Sequence, residues 1–242
     1  MLKKWLLGLM LLILTSTALA DEASVRKAFQ QAYPKVKIES VTKTQYGGLY
    51  EVYAGGQLVY TDENFNFFIV DGRLIDVKNR RDITTERTEE LSRIDFSALP
   101  LEQAIKVVKG NGSRKMAVFS DPDCPYCKQL EQEGLAPITD VTIYTFLFPI
   151  ERLHPNAPDK AKAIWCAPDR GRAWTSWMLK SYLPQGNTSC STPLDSVSAL
   201  AQKLGVNSTP TLFFADGTRL RGAYPTEDIE KALNLASKKP QK

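Results

Sequence analysis

Val25, Ala28, Phe29, Ala32 and Tyr33 recur at intervals of three and four, the apolar stripe of a helix over residues 22–33 that Pro34 closes. The period then changes. VKIESV, LYEVY, QLVYT, NFFIV and RLIDV are short runs of β-branched and aromatic residues, parted by Gly47-Gly48, Gly55-Gly56, Asp62-Glu63-Asn64 and Asp71-Gly72. Such runs between turn formers predict a small antiparallel meander. Residues 78–93 carry nine charged side chains in sixteen positions. Thr84 or Thr85 is placed to cap a helix whose first turns hold Glu86, Glu89 and Glu90. A charged helix between two apolar regions reads as a linker; the alternative is a solvated surface helix of one continuous domain.

From residue 97 strands and helices alternate. LEQAIKVV predicts a helix, KMAVF a strand, VTIYTFLF (141–148) a second strand, and DKAKAIWCA and GRAWTSWMLKSYL two helices. A further helix opens at Thr192-Pro193-Leu194-Asp195, with Thr192 as cap and Pro193 as first helical residue, and stops at Gly205. TPTLFFADGTRL reads as strand, turn and strand, and a last helix follows Thr226 with Ile229 and Leu233 inward. The expected class is α+β overall. A helix-plus-antiparallel-sheet domain covers 21–77, a charged linker helix 78–96, and an α/β domain with a helical insertion 97–242.

Lys3 and Lys4 precede an apolar run from Trp5 to Leu14, and Ala18-Leu19-Ala20 offers a small-x-small cleavage site. This is the layout of a secretory signal peptide over residues 1–20, cleaved after Ala20. The run is short for a bilayer span, so a removed leader is expected rather than an anchor. Of the 31 basic residues two lie in this leader, leaving 29 against 27 acidic ones. The signs are interspersed without a basic stripe, which gives no reason to invoke nucleic acid. One helix and a few strands in roughly 55 residues bury little core, and a unit of that size needs a staple, a metal or a partner subunit. Residues 21–77 contain no cysteine. Dimerisation is therefore expected.

Export changes how the four cysteines read, because disulfides persist in oxidising compartments. Cys124 and Cys127 lie three apart in SDPDCPYCKQL, whereas Cys166 and Cys190 lie 24 apart. The CPYC stretch stands where a strand ends and a helix begins, and Pro125 suits the first helical turn. A thiol there faces unpaired backbone N–H groups and the positive end of the helix dipole, both favouring thiolate. Cys124 is thus the expected nucleophile. Cys127, one turn later on the same face, is the expected resolving thiol. A metal clip would need His154, Cys166 and Cys190 as further ligands, and no second tight pair supplies them; His154 in RLHPN reads as a surface loop residue. A structural CPYC bridge would close too small a loop to restrict the unfolded chain much. Cys166, in the apolar run AIWCA, suits a buried structural disulfide with Cys190; a second redox pair is the alternative. No metal and no cofactor are expected.

A strand–CxxC–helix opening followed by further α/β units is the thioredoxin-like pattern. With the small N-terminal domain and the charged linker, the segments FSDPDCPYCKQL, KAIWCAPDRGRAW and LGVNSTPTLFFADGT resemble the periplasmic disulfide isomerases of the DsbC/DsbG family. The resemblance covers essentially the whole mature chain. It implies a redox pair at Cys124 and Cys127 with Pro125-Tyr126 as the active-site dipeptide. It also implies a cis-proline loop at Thr209-Pro210 that packs against the pair and presents backbone to substrate; STP by itself reads as an ordinary turn. A V-shaped homodimer through the N-terminal domains, an apolar cleft for misfolded, disulfide-containing exported proteins, and a membrane electron donor of DsbD type are implied as well. The Pro-Tyr dipeptide matches the DsbG branch, while Cys166 and Cys190 match the second pair of the DsbC branch. The second pair places the chain nearer DsbC. Val118, six before Cys124, stands where thioredoxin itself has a buried acid, so proton transfer to the resolving thiol needs another group or water. The expected function is a periplasmic disulfide isomerase with chaperone-like substrate binding. The alternatives are a sulfenic-acid reductase of DsbG type, a dithiol oxidase on the same scaffold, or a holdase chaperone.

Overall fold

The computed structural model describes residues 21–186 and 188–238. The expected leader and its cleavage site lie outside them. The chain divides after Leu91 into two compact units.

In the first unit, α1 (residues 21–32) covers a four-stranded antiparallel meander. Its strands are β1 (Ile38–Lys43), β2 (Tyr50–Ala54), β3 (Gln57–Thr61) and β4 (Phe68–Ile69), in that order. Gly55 and Gly56 make the β2–β3 turn with φ of 58° and 78°, the positive pair that a two-residue hairpin loop demands. Side chains alternate across β2. Tyr50, Val52 and Ala54 pack with Val25 and Phe29 of α1, whereas Tyr53 joins Leu58 and Tyr60 on the other face with Leu74 and Leu91. That second face is covered by the hairpin β5 (Ile75–Asp76)–β6 (Arg81–Asp82) and by α2 (Ile83–Leu91). Buried Glu51 accepts from Arg87 Nε at 3.0 Å, which removes the cost of an uncompensated charge there.

Neither expected threonine caps α2. Asp82 accepts from the Thr85 N–H at 3.0 Å, and a carboxylate suits the positive helix end better than a hydroxyl. Thr84 is used elsewhere, accepting from the Leu74 N–H and pairing with the Tyr60 hydroxyl, both at 2.7 Å.

The second unit holds a five-stranded sheet of order β11-β10-β8-β9-β7. The strands are β7 (Ile105–Lys109), β8 (Arg114–Ser120), β9 (Val141–Leu147), β10 (Thr211–Phe214) and β11 (Arg219–Arg221). Only β8 and β9 pair in parallel. One face, with Met116, Val118, Leu212 and Phe214, packs on Ile229 and Leu233 of α7 (Thr226–Lys238). The other, with Ala117, Phe119, Phe146 and Phe213, packs on Val197 and Ala201 of α6 (Leu194–Lys203). Between β9 and α6 the chain inserts α4 (Ala157–Cys166) and α5 (Arg170–Lys180). Among the described residues no helix is long and apolar enough to cross a membrane.

Two further expectations are corrected. LEQAIKVV is not a helix: Leu101–Gln103 make one 3-10 turn and Ile105–Lys109 form β7, paired antiparallel to β9. Its β-branched residues gain a cross-strand partner, and tertiary pairing overrides the helical spacing. Pro193, not Thr192, is the cap of α6, because its carbonyl accepts the first helical bond from Val197 at 2.8 Å.

Cys166, at the end of α4, is bonded to Cys190, 24 residues on. Closing a loop of that length stabilises by about 3–4 kcal/mol through the unfolded chain. The double variant C166A/C190A is expected to unfold in urea with stability lowered by about that amount, the CPYC pair being held in one redox state throughout. A midpoint equal to the parent's would show that the bridge contributes nothing.

Candidate active site

β8 delivers the site. Its last residue, Ser120, leads into the turn Asp121-Pro122-Asp123, and Cys124 then stands at the N-cap of α3 (Pro125–Gln129) in extended backbone. Proline at the first helical position forfeits no bond, since that N–H has no partner in any helix. The Cys124 carbonyl accepts from the N–H groups of Cys127 and Lys128, each at 3.1 Å. After Gln129 the helix widens into a π-turn, Leu130–Gly134. Both cysteines are free thiols and both are buried, while Tyr126 between them is 63% exposed.

The two thiols differ electrically. Cys124 is lowered to about 6, first by the hydrogen bond from the Cys127 thiol, against opposing desolvation, then by the Thr209 side chain and the N–H groups of Cys127 and Tyr126. Cys127 is pushed well above the ordinary thiol range, chiefly by burial and next by the Cys124 sulfur. The opposing donors are local, and the Asp121 N–H points at its sulfur from 3.4 Å. One thiolate is ready at neutral pH and its neighbour is held protonated. Across the site the Thr209–Pro210 peptide bond is cis, and the Thr209 carbonyl lies 3.5 Å from Cys124 Sγ. Cys124, Cys127, Pro125, Tyr126, Thr209 and Pro210 are thus gathered in one place, whereas Cys166 and Cys190 are joined to each other.

The turn ahead of Cys124 is clamped on three sides. Asp121 is fully buried; its carboxylate accepts from Asp123 N (2.8 Å), Ile150 N (2.7 Å) and the His154 ring (Nδ1, 2.9 Å). Pro122 O accepts from Trp177 Nε1 of α5 at 2.7 Å. Lys160 of α4 grips the Asp123 carboxylate at 2.6 and 2.7 Å. Lys128 and Lys160 also lie over the Trp177 ring, 4.6 and 5.0 Å from its centre. The inserted helices therefore brace the redox turn. His154, read from the sequence as a surface loop residue, is one of the braces; a lone histidine carries no spacing signal, and only the fold brings it to Asp121.

Two family models match the chain, a disulfide bond isomerase N-terminal domain over residues 16–85 and a thioredoxin-like domain over 101–237. The probable thiol:disulfide interchange protein DsbC of Bordetella pertussis is 43% identical over 210 residues, spanning 87% of this chain and 73% of that protein. The chain belongs to the DsbC family of thiol:disulfide interchange proteins. The thiol:disulfide interchange protein DsbC of Escherichia coli K12 is 28% identical over 240 residues, 97% of this chain and 96% of that one. A crystal structure of a disulfide interchange protein from Neisseria gonorrhoeae, 45% identical, superposes with a TM-score of 0.56, over 58% of this chain and all of that chain.

As a DsbC-family member the protein is a thiol–disulfide oxidoreductase, a disulfide isomerase on a thioredoxin-like fold. One further acid borders the site. Glu131 lies four residues beyond Cys127, and Trp174 of α5, which packs in the same cluster as both cysteines, donates to its carboxylate from 2.7 Å. Burial holds the Glu131 carboxyl above the usual carboxylate range, against the Trp174 bond and the Lys109 charge. A carboxyl raised in the folded state favours folding in its neutral form. The benefit is complete below the unfolded value, about 4.3, and is lost as the pH rises toward the folded one. E131Q is therefore expected to match the parent in urea stability near pH 4 and to exceed it near pH 7. A variant no more stable than the parent at pH 7 would contradict the burial of a charge there.

Proposed function

We propose that this DsbC-family protein works in the periplasm as a homodimer, with Cys124 as nucleophile and Cys127 as resolving thiol. The observation that carries the roles is the asymmetry of the pair, one sulfur lowered to about 6 and the other buried and raised. The Cys124 thiolate attacks a wrong disulfide, forming a mixed disulfide and releasing one substrate thiolate. That thiolate attacks another disulfide of the substrate, and the thiolate displaced there attacks the substrate sulfur of the mixed disulfide, expelling the Cys124 thiolate; the net result is isomerisation. Alternatively Cys127 attacks the Cys124 sulfur, releases a reduced substrate and leaves a Cys124–Cys127 disulfide. Two electrons from a membrane donor of DsbD type then restore the dithiol. Forming the mixed disulfide removes the Cys124 charge, which after burial is the second reason that Cys127 stays protonated, so the resolving thiol becomes easier to ionise when it is needed. The cis-proline loop, Thr209-Pro210, presents backbone to the substrate chain.

Pairing of the N-terminal domains is supported by the edge of the first sheet. There β4 is two residues long, and Phe67, Phe68, Ile69 and Val70 are each 40–47% exposed, an apolar edge that isolated domains avoid. The leader over residues 1–20 supports export. The DsbC-named relatives and the Cys166–Cys190 bond do not favour a sulfenic-acid reductase, an oxidase or a holdase. Reduced full-length chain is expected to reactivate a scrambled multi-disulfide protein. F68D/I69D is expected to sediment as a monomer and lose that activity while still reducing a small disulfide. A monomeric parent, or a monomeric variant that isomerises as well as the parent, would overturn the dimer.

A further inference from the structure

Two acids flank the nucleophile, and the fold compensates them differently. Asp123 carries a permanent counter-charge, the Lys160 ammonium, on both oxygens. Asp121 does not. It is entirely buried, it answers to two backbone N–H groups, and among the described residues its only side-chain hydrogen-bond partner is His154. Imidazole is the side chain whose ordinary titration falls between about pH 5 and 8. The compensation of Asp121 therefore depends on a proton.

Asp121 is also the residue closest in bonding to the redox pair. Its N–H donates to the Cys127 sulfur, and its carbonyl accepts from the Cys124 N–H at 3.2 Å. Any charge left on its carboxylate sits on the residue whose backbone bonds both cysteines and opposes the Cys124 thiolate; a protonated His154 cancels it. Asp121, just after β8, bonds the imidazole; the charged and titratable groups of the neighbouring elements are Asp123 with Lys160 of α4, and the thiols of Cys124 at the N-cap of α3 and Cys127 within it. On its own loop are Glu151 and Arg152, both exposed. Of these, only Asp121 bonds the ring.

We propose that His154 is a positioning residue of the interchange reaction: by holding or releasing a proton against buried Asp121, it sets how strongly the active-site turn favours the Cys124 thiolate. This rests on the assignment of Cys124 as nucleophile, but its first test does not depend on activity.

His154 is the only histidine in the chain, so its ring resonances in an untagged full-length protein need no assignment. Binding linkage is reciprocal: if the imidazolium favours the thiolate, the thiolate must favour the imidazolium. The His154 titration midpoint, followed by proton NMR, is expected to lie higher by about 0.5 pH in the dithiol form than in the Cys124–Cys127 disulfide form. Coincident midpoints overturn the proposal. In a second arm the ultraviolet absorbance of the thiolate is titrated. H154Q, which keeps a donor but no titratable charge, is expected to raise the Cys124 midpoint. D121N is expected to lower it, and D121N/H154Q to follow D121N alone. A purely structural His154 would change unfolding and leave these midpoints where they were. If H154Q fails to fold, the NMR comparison on the natural chain decides. A failure of Cys124 as nucleophile would instead show as C124A retaining the thiolate absorbance.

Discussion

C124A is expected to lower thiol–disulfide interchange by at least about three orders of magnitude, because no other side chain at the site can supply a thiolate. Cys127 cannot replace it: it is fully buried and held protonated. C127S should behave differently. Attack by Cys124 still occurs, but a stalled mixed disulfide has no internal thiol to resolve it, so substrate-linked chains accumulate on non-reducing gels. The parent rate should also report the nucleophile directly. With Cys124 lowered to about 6, the rate constant for attack on a small disulfide is expected to be nearly flat above pH 7. It should fall about tenfold per pH well below 6, as the thiolate fraction does. C124A that still interchanges disulfides at a tenth of the parent rate would remove Cys124 from the nucleophilic role.

W174A is expected to be the most damaging single change to stability, at about 3–5 kcal/mol for a truncated core tryptophan. Trp174 is 1% exposed and packs with Ile105, Ile164, Met178 and both cysteines. Its loss opens a cavity behind the redox helix and leaves Glu131 without its donor. W174F separates the two effects. It keeps most of the apolar contact and deletes the N–H, so its cost should be about 1–2 kcal/mol. That cost should grow with pH as Glu131 ionises, because an unpaired carboxylate is costlier to bury than an unpaired acid. Urea unfolding of both variants near pH 4 and pH 7 distinguishes them. A W174F cost that does not depend on pH would show that the indole N–H is not what steadies Glu131.

Local chemistry made much of the protein legible from residues alone. The meander in the first unit follows from β-branched runs cut by paired glycines. The strand–CPYC–helix order follows from KMAVF, a turn and Pro125. These signals are short-range, so they survive without a tertiary context. LEQAIKVV shows the limit, since its helical spacing yields to a strand partner, β9, more than thirty residues later in the chain. The cap of α2 shows the same limit: Thr84 suits a cap by type, but Tyr60 and Leu74 claim its hydroxyl and Asp82 takes its place.

Residue order alone specifies which atoms can do chemistry: two cysteines one helical turn apart, the first at a helix start. Backbone geometry and proline placement are local, and so is the bias toward a thiolate at Cys124. The charge around that sulfur is set instead by contacts that folding brings together. Asp121 and Asp123 look alike in the sequence as acids opposing it, yet Lys160 is 37 residues from Asp123 and His154 is 33 from Asp121. Trp177 reaches Pro122 from 55 residues away. Coulomb interactions depend on distance and burial in space rather than on separation along the chain, so folding alone makes one acid permanently compensated and the other dependent on a proton.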